Sequence, residues 1–273
     1  MLSQLRFATL RLKSEKESVK YIAKKPGPDG TIPFTPDEHN VWKVLIARQQ
    51  KTIVNRACPE FFEGIATLGL SENQIPSLLD LSDRLSVTGW KVTPVDGTIQ
   101  VDEFFAMLAR REFPVATFIR VMEELDYLQQ PDIFHEIFGH CPMLTNPAYA
   151  DFVQWYGEFA SSLNHQLRTI LSRLFWFTIE FGLVKTEAGL RVYGGGILSS
   201  HQETIYALED SCPTRKSFNL HEVLLTKYFY DRIQDRYFVI DSLESLYKMM
   251  DEKILREALD EIKVRQDRPF ITC

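Results

Sequence analysis

An apolar segment near the middle of the chain, LFWFTIEFGLV at residues 174 to 184, has to lie inside the fold. It contains one charged residue, Glu180, among side chains that are apolar on nearly every side. That pattern is typical of a buried helix. A buried carboxylate is rare unless it is paired or bound to a metal, because its removal from water costs several kcal/mol. Glu180 therefore needs a partner, which is either an Arg or Lys from elsewhere in the fold or a metal ion.

The composition predicts a globular protein that acts on small molecules. The chain has 273 residues, of which 45% are hydrophobic, and this is enough for one large core. The net charge of -6 is spread along the length, so no basic block indicates a nucleic-acid or membrane partner. No stretch approaches the roughly 20 apolar residues of a membrane span. The cysteines are too far apart for a disulfide scaffold or a CxxC zinc site and favour the cytoplasm: Cys58, Cys141, Cys212 and Cys273.

Apolar spacing predicts a mainly α fold. Residues 38–57 and 101–114 place apolar side chains three to four apart, as helices do. Short β-prone pieces occur at residues 90–95, 189–194 and 236–241, and we expect a few small ribbons rather than a central parallel sheet. Four prolines and two glycines between residues 22 and 40 predict an extended arm over 1–35, followed by one catalytic domain over 36–273. Thr35 is predicted to cap the first helix.

Two histidines stand five residues apart in PDIFHEIFGH, residues 131 to 140. Pro131 and Asp132 favour a helix start, and Gly139 favours a left-handed helix end. On an uninterrupted α-helix, His140 would lie about 140° around from His135, whereas the partners of an HExxH zinc motif differ by about 40°. We therefore expect Gly139 to redirect the chain if both histidines bind one metal. Otherwise they are a core-edge histidine and a capping histidine.

Two histidines and Glu180 match the three-ligand face that holds non-haem Fe(II) and leaves other positions open. Catalytic zinc also uses two histidines and a glutamate, so the donor set does not separate the two metals. A zinc hydrolase with Glu136 as its base is disfavoured by the five-residue spacing. A non-catalytic helical binding module would leave Glu180 unexplained.

Three further features are ambiguous from the residues alone. The glycines in GLRVYGGGILSSHQE, residues 189 to 203, match no nucleotide-binding motif and favour a tight bend beside a ligand. Ser199 and Ser200 are turn residues or donors that orient a ligating histidine. Arg120 is a solvated helix charge or a clamp for a substrate carboxylate. The remaining histidines are interpreted as surface or structural residues: His39, His165, His201 and His221.

Three segments in this order, PDIFHEIFGHCPML, FWFTIEFGLVK and YGGGILSSHQE, resemble the pterin-dependent aromatic amino acid hydroxylases, and among them the bacterial phenylalanine 4-hydroxylases. TPDEHNVWKVLIARQ resembles the start of the catalytic domain of the same family. The resemblance extends from about residue 33 to about residue 250. It implies that the domain over 36–273 binds iron.

The resemblance also implies a role for each matching position. The iron ligands would be His135, His140 and Glu180. The substrate would be bound by Arg120 at its carboxylate, by Pro131 and Trp176 at its ring, and beside Ser199. Ser199 and Glu203 would support the ligands from behind. The tetrahydropterin would contact Phe104, Gly97, Thr98, Ile99 and Glu136. Two positions depart from relatives: Leu128 stands where many have threonine, and Phe175 where animal members have tyrosine.

The resemblance implies a phenylalanine 4-monooxygenase, which converts L-phenylalanine to L-tyrosine with O₂ and a tetrahydropterin at Fe(II). In this family, tryptophan hydroxylases typically have a phenylalanine at the position of Trp176, so Trp176 argues against an indole substrate. Tyrosine or tryptophan hydroxylation is the alternative. The last residues, ILREALDEIKVRQDRPFITC, have no sustained heptad, and we expect a monomer or a small dimer rather than a coiled-coil tetramer.

Overall fold

The first helix, α1 (Pro36–Thr52), begins where the sequence predicts. The Thr35 side chain accepts a hydrogen bond from the Glu38 N–H at 3.3 Å, and the Glu38 carboxylate accepts one from the Thr35 N–H at 2.6 Å. This reciprocal capping box satisfies two N–H groups that the helix leaves unpaired. Residues 21–34 before it form neither helix nor strand. The division of the chain at residue 35 stays a prediction.

The structure is a computed structural model that describes residues 21–97, 99–126, 130–230 and 232–267. Helices dominate this part of the chain, which confirms the mainly α prediction. No described helix is both long enough and apolar enough to cross a bilayer. The helices after α1 are α2 (Pro59–Leu68), α3 (Leu78–Leu85), α4 (Val101–Ala109), α5 (Pro147–Ser161), α6 (His165–Phe175), α7 (Gly195–Leu198), α8 (His201–Glu209), α9 (Leu220–Leu225) and α10 (Glu252–Asp267).

Short strands form two small sheets. Strands β1 (Lys91–Val95) and β2 (Glu112–Ala116) pair in parallel. The other sheet has the order β4-β3-β6-β5, from β3 (Leu183–Thr186), β4 (Gly189–Val192), β5 (Thr214–Ser217) and β6 (Arg236–Ile240). Only β3 and β4 are antiparallel, and β6 runs parallel to both β3 and β5.

Three of these strands lie where the sequence predicts them, namely β1, β4 and β6. The helix predicted to continue to residue 114 instead ends at Ala109, and the chain turns at Arg111, whose φ is 55°. β2 follows directly and is buried from Phe113 onwards. The reason is tertiary, because EFPVA is apolar on both faces and pairs with β1 in the interior.

Two π-helical turns, His135–His140 and Trp176–Glu180, interrupt the α-helical pattern. The prediction that Gly139 ends the first helix in a left-handed conformation is wrong, because Gly139 lies inside the π turn and its φ is not positive. A Cβ at this position would lie 2.6 Å from the Gly195 carbonyl oxygen. Glycine is therefore needed for the close approach of α7 and not for a turn.

Candidate metal centre

The two π turns and α7 bring three ligand atoms together inside the core. His135 begins the first π turn, His140 ends it, and Glu180 is the last residue of the second. The two Nε2 atoms are 3.2 Å apart. Glu180 places Oε1 3.3 Å from Nε2 of His140 and Oε2 3.9 Å from Nε2 of His135. All three side chains are buried, and among the described residues they are the one group of His, Cys, Asp or Glu arranged to hold a metal ion.

The π turn explains why histidines five apart share a site. In an α-helix, the residue that returns to the same face is three or four positions along. A π turn closes its hydrogen bonds from i to i+5, so residues five apart come round to the same face. In the second turn, the Phe181 N–H donates to the Trp176 carbonyl oxygen at 2.8 Å in this manner. The π-helical turn therefore brings the two histidines to the same side, and no bend at Gly139 is needed.

The electrostatics of the three groups suit a divalent cation. Burial lowers the pKa of His135 to about 4, although the charge of Glu180 acts in the opposite direction. Burial alone would raise the pKa of Glu180, but His140 and His135 lower it below its ordinary value. The Nε2 atoms of two imidazoles and a carboxylate therefore face one point. This donor set fits Fe(II), and it would also fit zinc.

The segment that contains the three consecutive glycines closes one side of the centre. Ser199 Oγ lies 2.8 Å from Nδ1 of His135, and the tautomer that donates from Nδ1 leaves the Nε2 lone pair facing the other ligands. At Gly195, a Cβ would lie 2.4 Å from Nδ1 of His140. At Gly196, a Cβ would lie 2.8 Å from Oε2 of Glu180. These glycines allow α7 to approach two of the three ligand side chains closely, and the predicted tight bend beside a ligand stays a prediction.

A small cavity opens onto the ligand atoms. Besides the ligands, its walls are Phe104, Phe113, Pro114, Pro131, Glu136 and Phe175. The structure therefore brings Phe104, Pro131 and Glu136 to the metal centre, and their roles in binding a pterin or a substrate stay predictions. One Glu136 oxygen accepts from the Ala116 N–H, and the other is buried without a partner among the described residues. Burial raises the pKa of Glu136 well above its ordinary value.

Arg120 forms a buried two-point ion pair with Asp132. Its Nε and Nη2 donate to the two Asp132 oxygens at 2.8 and 2.9 Å, and Asp132 also accepts from the His135 N–H at 3.0 Å. Burial alone would raise the pKa of Asp132, but the Arg120 charge and these hydrogen bonds lower it below its ordinary value. The guanidinium is thus fixed beside the segment that contains the first histidine ligand. It is not a solvated helix charge.

Trp176 and Glu203 lie on the far side of the second π turn. The Trp176 indole is stacked between Tyr228 and Phe181, with ring centroids at 4.3 and 4.7 Å. It is not one of the residues that line the small cavity. Glu203 Oε1 accepts hydrogen bonds from the Tyr237 hydroxyl at 2.7 Å and from the Gln234 N–H at 3.2 Å. Burial raises its pKa to about 7.

Comparison with known proteins agrees with this geometry. The family model for biopterin-dependent aromatic amino acid hydroxylases matches residues 5–266. The chain belongs to this family. It is 48% identical over 240 residues to phenylalanine-4-hydroxylase of Pseudomonas aeruginosa, a match that covers 88% of this chain and 91% of that protein.

Solved structures of other family members have the same fold. The apo structure of the cold-active phenylalanine hydroxylase from Colwellia psychrerythraea has a TM-score of 0.87 and 42% identity, covering 89% of this chain and 95% of that one. The Chromobacterium violaceum phenylalanine hydroxylase, with bound iron(III) and the oxidized cofactor 7,8-dihydrobiopterin, has a TM-score of 0.81 and 41% identity. That match covers 87% of this chain and 86% of the other.

The segment predicted to contact a pterin is described except at one residue. Gly97 has a φ of 117° beside the Phe118 ring, which is a conformation that glycine tolerates. Ile99 is half-buried and packs against the core. Thr98 lies outside the described residues, as does Leu128. The roles of Gly97, Thr98 and Ile99 in this hydroxylase stay predictions.

Sequence reasoning missed several residues of this region. Asp132 was read only as a favourable charge at a helix start, whereas it pairs with Arg120 across 12 positions. Phe113 lies 5.2 Å from the His140 ring in a stretch predicted as helix. Gln234 and Tyr228 contact Trp176 from more than 50 positions away. A local pattern gives no signal for any of these long-range partners.

Proposed function

We propose that this chain is a phenylalanine 4-monooxygenase, which hydroxylates L-phenylalanine to L-tyrosine with O₂ and a tetrahydropterin. One observation is central, namely the buried convergence of His135, His140 and Glu180 at the mouth of an aromatic-lined cavity. Two relatives that cover 88% and 92% of this chain are named phenylalanine-4-hydroxylase. The related Chromobacterium violaceum structure has bound iron and dihydrobiopterin.

The three side chains would hold one Fe(II). When bound, the iron and the pterin supply oxygen activation and two electrons, and the protein supplies orientation and a site from which water is excluded. His135 is oriented by Ser199, and His140 is confined by the backbone at Gly195. Three protein ligands would leave other positions of the ion open, and the ligand side chains themselves line the cavity.

The residues around the cavity divide into two proposed sets. Phe104, which lies 5.7 Å from the Phe175 ring, offers an aromatic face for the pterin, with Glu136 beside it. Arg120, which does not line the small cavity itself, would bind the substrate carboxylate with N–H groups that Asp132 does not use. Because Asp132 already holds the guanidinium on two points, little side-chain freedom remains to be lost on binding.

An apolar wall favours phenylalanine over its hydroxylated product. Phe113, Pro131 and Phe175 offer no side-chain partner for a phenolic hydroxyl, and an unpaired buried hydroxyl is costly. Tyrosine and tryptophan are the alternative substrates. We also propose a cytoplasmic location, because the three described cysteines, Cys58, Cys141 and Cys212, are free thiols, as in a reducing compartment.

Metal analysis combined with oxygen uptake tests this function. The purified protein, loaded with Fe(II), should consume O₂ only when a tetrahydropterin is added, and should form tyrosine from phenylalanine. The metal-free protein is the control. Bound zinc without oxygen uptake would favour the hydrolase alternative. A higher kcat/KM for tyrosine or tryptophan than for phenylalanine would overturn the substrate assignment.

A further inference from the structure

Gln234 is a buried amide whose hydrogen-bonding capacity is fully used. It is 2% exposed and lies in the connection from α9 to β6. Its Oε1 accepts from the Trp176 indole N–H at 3.1 Å and from the Phe229 N–H at 3.2 Å. Its Nε2 donates to the carbonyl oxygens of Phe229 and of Arg232. Because Nε2 donates two hydrogen bonds and Oε1 accepts two, only one orientation of the amide satisfies all of these partners.

A second group fixes the backbone of Gln234. The Gln234 N–H donates to Glu203 Oε1 at 3.2 Å, and the Tyr237 hydroxyl donates to the same oxygen at 2.7 Å. Glu203 is in α8 and Tyr237 is in β6, so one carboxylate oxygen joins the connection to both elements. The position of the amide oxygen is therefore set from both its side chain and its main chain.

The hydrogen bond from the Trp176 indole N–H to Gln234 fixes the rotation of the ring in its own plane, which stacking alone does not fix. Trp176 is sandwiched between Tyr228 and Phe181 at interplanar angles of 18° and 29°. Stacked rings resist separation but slide and rotate in their own planes at little cost. A directional N–H···O bond at the indole edge stops that rotation. Trp176 is also the first residue of the π turn that ends at Glu180, so its orientation sets the start of that turn.

We propose that Gln234 is a positioning residue, which fixes the Trp176 indole and thereby the substrate-ring wall beside the second π turn. This inference rests on the proposed function and on the role that the sequence resemblance implies for Trp176, a contact with the ring of the substrate. Gln234 itself does not touch the reacting atoms. It acts through Trp176, and Glu203 supports it.

Kinetic measurements on Gln234→Leu test the role. This variant keeps the buried volume but removes the acceptor, so the KM for phenylalanine should rise about fivefold or more, the equivalent of one lost hydrogen bond. The amount of tyrosine formed per tetrahydropterin oxidised should fall, while iron content stays at the parent level. Leu68→Ala, a buried truncation in α2, is the control for lost stability alone. It should leave both quantities unchanged.

A double-mutant cycle separates positioning from general destabilisation. If Gln234 acts through the indole N–H, then adding Gln234→Leu to Trp176→Phe should have little effect. The KM for phenylalanine and the amount of tyrosine formed per tetrahydropterin oxidised should each change less than about twofold. The same change in both backgrounds would overturn the proposal. The proposal would also be overturned if Gln234→Leu lowered the Tm but left the KM and the tyrosine formed per tetrahydropterin oxidised at the parent values.

A measurement on the hydrogen bond does not depend on activity. In protein with ¹⁵N-labelled tryptophan, the indole resonance that disappears in Trp176→Phe belongs to Trp176. Its N–H should exchange slowly with solvent in the parent and at least about tenfold faster in Gln234→Leu, if the latter folds. Fast exchange in the parent would overturn the proposal even if tyrosine is formed. Slow exchange in a protein that forms no tyrosine would support the hydrogen bond but would reject the proposed function.

Discussion

At the scale of single residues, Glu180 is the group on which metal binding depends most directly. Its carboxylate is buried, yet His140 and His135 hold its pKa below the ordinary value against the effect of burial. Glu180→Gln keeps the shape and removes the negative charge. We expect iron content to fall below about a tenth of the parent, because one of three protein ligands is lost. Metal analysis measures this, and circular dichroism should show a retained fold.

The control for this variant is Glu209→Gln, which removes a surface carboxylate paired with Arg56. It should bind iron like the parent. Normal iron content and full activity in Glu180→Gln would remove Glu180 from the site. The same comparison applies to His135→Ala and His140→Ala.

Arg120 has two separable contributions, to substrate binding and to stability. Arg120→Ala should raise the KM for phenylalanine and also lower the free energy of unfolding by about 3–5 kcal/mol, because Asp132 is left buried without its countercharge. Adding Asp132→Asn removes the unpaired charge. The double variant should regain stability in urea unfolding but keep the raised KM. A parent-like KM in either variant would show that Arg120 does not bind the substrate.

The raised pKa of Glu203 predicts a pH-dependent stability. Burial raises it from 4.5 to about 7, so between these values the folded protein holds a proton that the unfolded chain has released. The free energy of unfolding of the parent therefore falls as pH rises through this window. Glu203→Gln keeps an oxygen acceptor for Tyr237 and has no proton to lose. Relative to the parent, it should gain about 3 kcal/mol between pH 4.5 and pH 7.

Urea unfolding of both metal-free proteins at pH 5, 6 and 7.5 measures this difference. Glu209→Gln, at a half-exposed carboxylate, shows what the loss of a surface charge does by itself. A constant difference between Glu203→Gln and the parent across these pH values would mean that Glu203 titrates alike in the folded and unfolded states.

At the scale of elements, the two π turns decide the geometry of the metal centre. Reading PDIFHEIFGH with α-helical geometry correctly showed that an uninterrupted helix could not bring both histidines to one metal. The prediction that a left-handed Gly139 redirects the chain was wrong. The π turn packs against α7, where the Gly195 carbonyl oxygen lies against Gly139. No local propensity in the sequence encodes that contact, whereas the apolar faces of the helices are encoded locally.

The fit between α7 and the first π turn is tested by Gly195→Ala. The added Cβ would lie 2.4 to 2.7 Å from atoms of the His140 imidazole, closer than packing allows. We expect the ring to move, and iron affinity to fall by about tenfold or more, while the protein still folds. Equilibrium titration with Fe(II) under anaerobic conditions measures the affinity.

Gly27→Ala is the matched control, since its Cβ would lie 3.1 Å from the flexible end of Asp29 and at the ordinary contact distance of 3.6 Å from the Thr31 carbonyl oxygen. It should bind iron like the parent. Unchanged affinity in Gly195→Ala would mean that His140 has more freedom than its packing indicates, and that α7 does not set its position.

At the scale of the whole molecule, apolar periodicity predicted a mainly α fold, and an isolated charge in an apolar segment predicted that Glu180 has a partner, because both are local patterns. The assignment of His135, His140 and Glu180 as iron ligands came from the resemblance to a family. The sequence did not predict which distant partners meet. The pairing of β6 with both β3 and β5, the Arg120–Asp132 ion pair and the Gln234–Trp176 bond all join separate parts of the chain. Such contacts depend on the complete packing arrangement and leave no periodic signature.

Assembly is the remaining prediction at this scale, and α10 decides it. Its described buried residues, Leu255, Ala258, Leu259 and Ile262, lie on one face that packs against α6 and α9 of the same chain. Ile254 and Val264 are exposed but do not continue that face into a seam. Because the apolar face is already used within the chain, light scattering should give the mass of a monomer, 31.7 kDa, or of a small dimer.

Leu259→Ala shows whether α10 packs within the chain or between chains. If its partners are α6 and α9 of the same chain, this truncation lowers the free energy of unfolding by about 2–5 kcal/mol and leaves the mass in solution unchanged. An intermolecular helix would respond differently, since loss of the leucine would weaken association and make the mass depend on concentration. A tetrameric parent whose mass falls in Leu259→Ala would contradict the prediction and place α10 in a subunit interface.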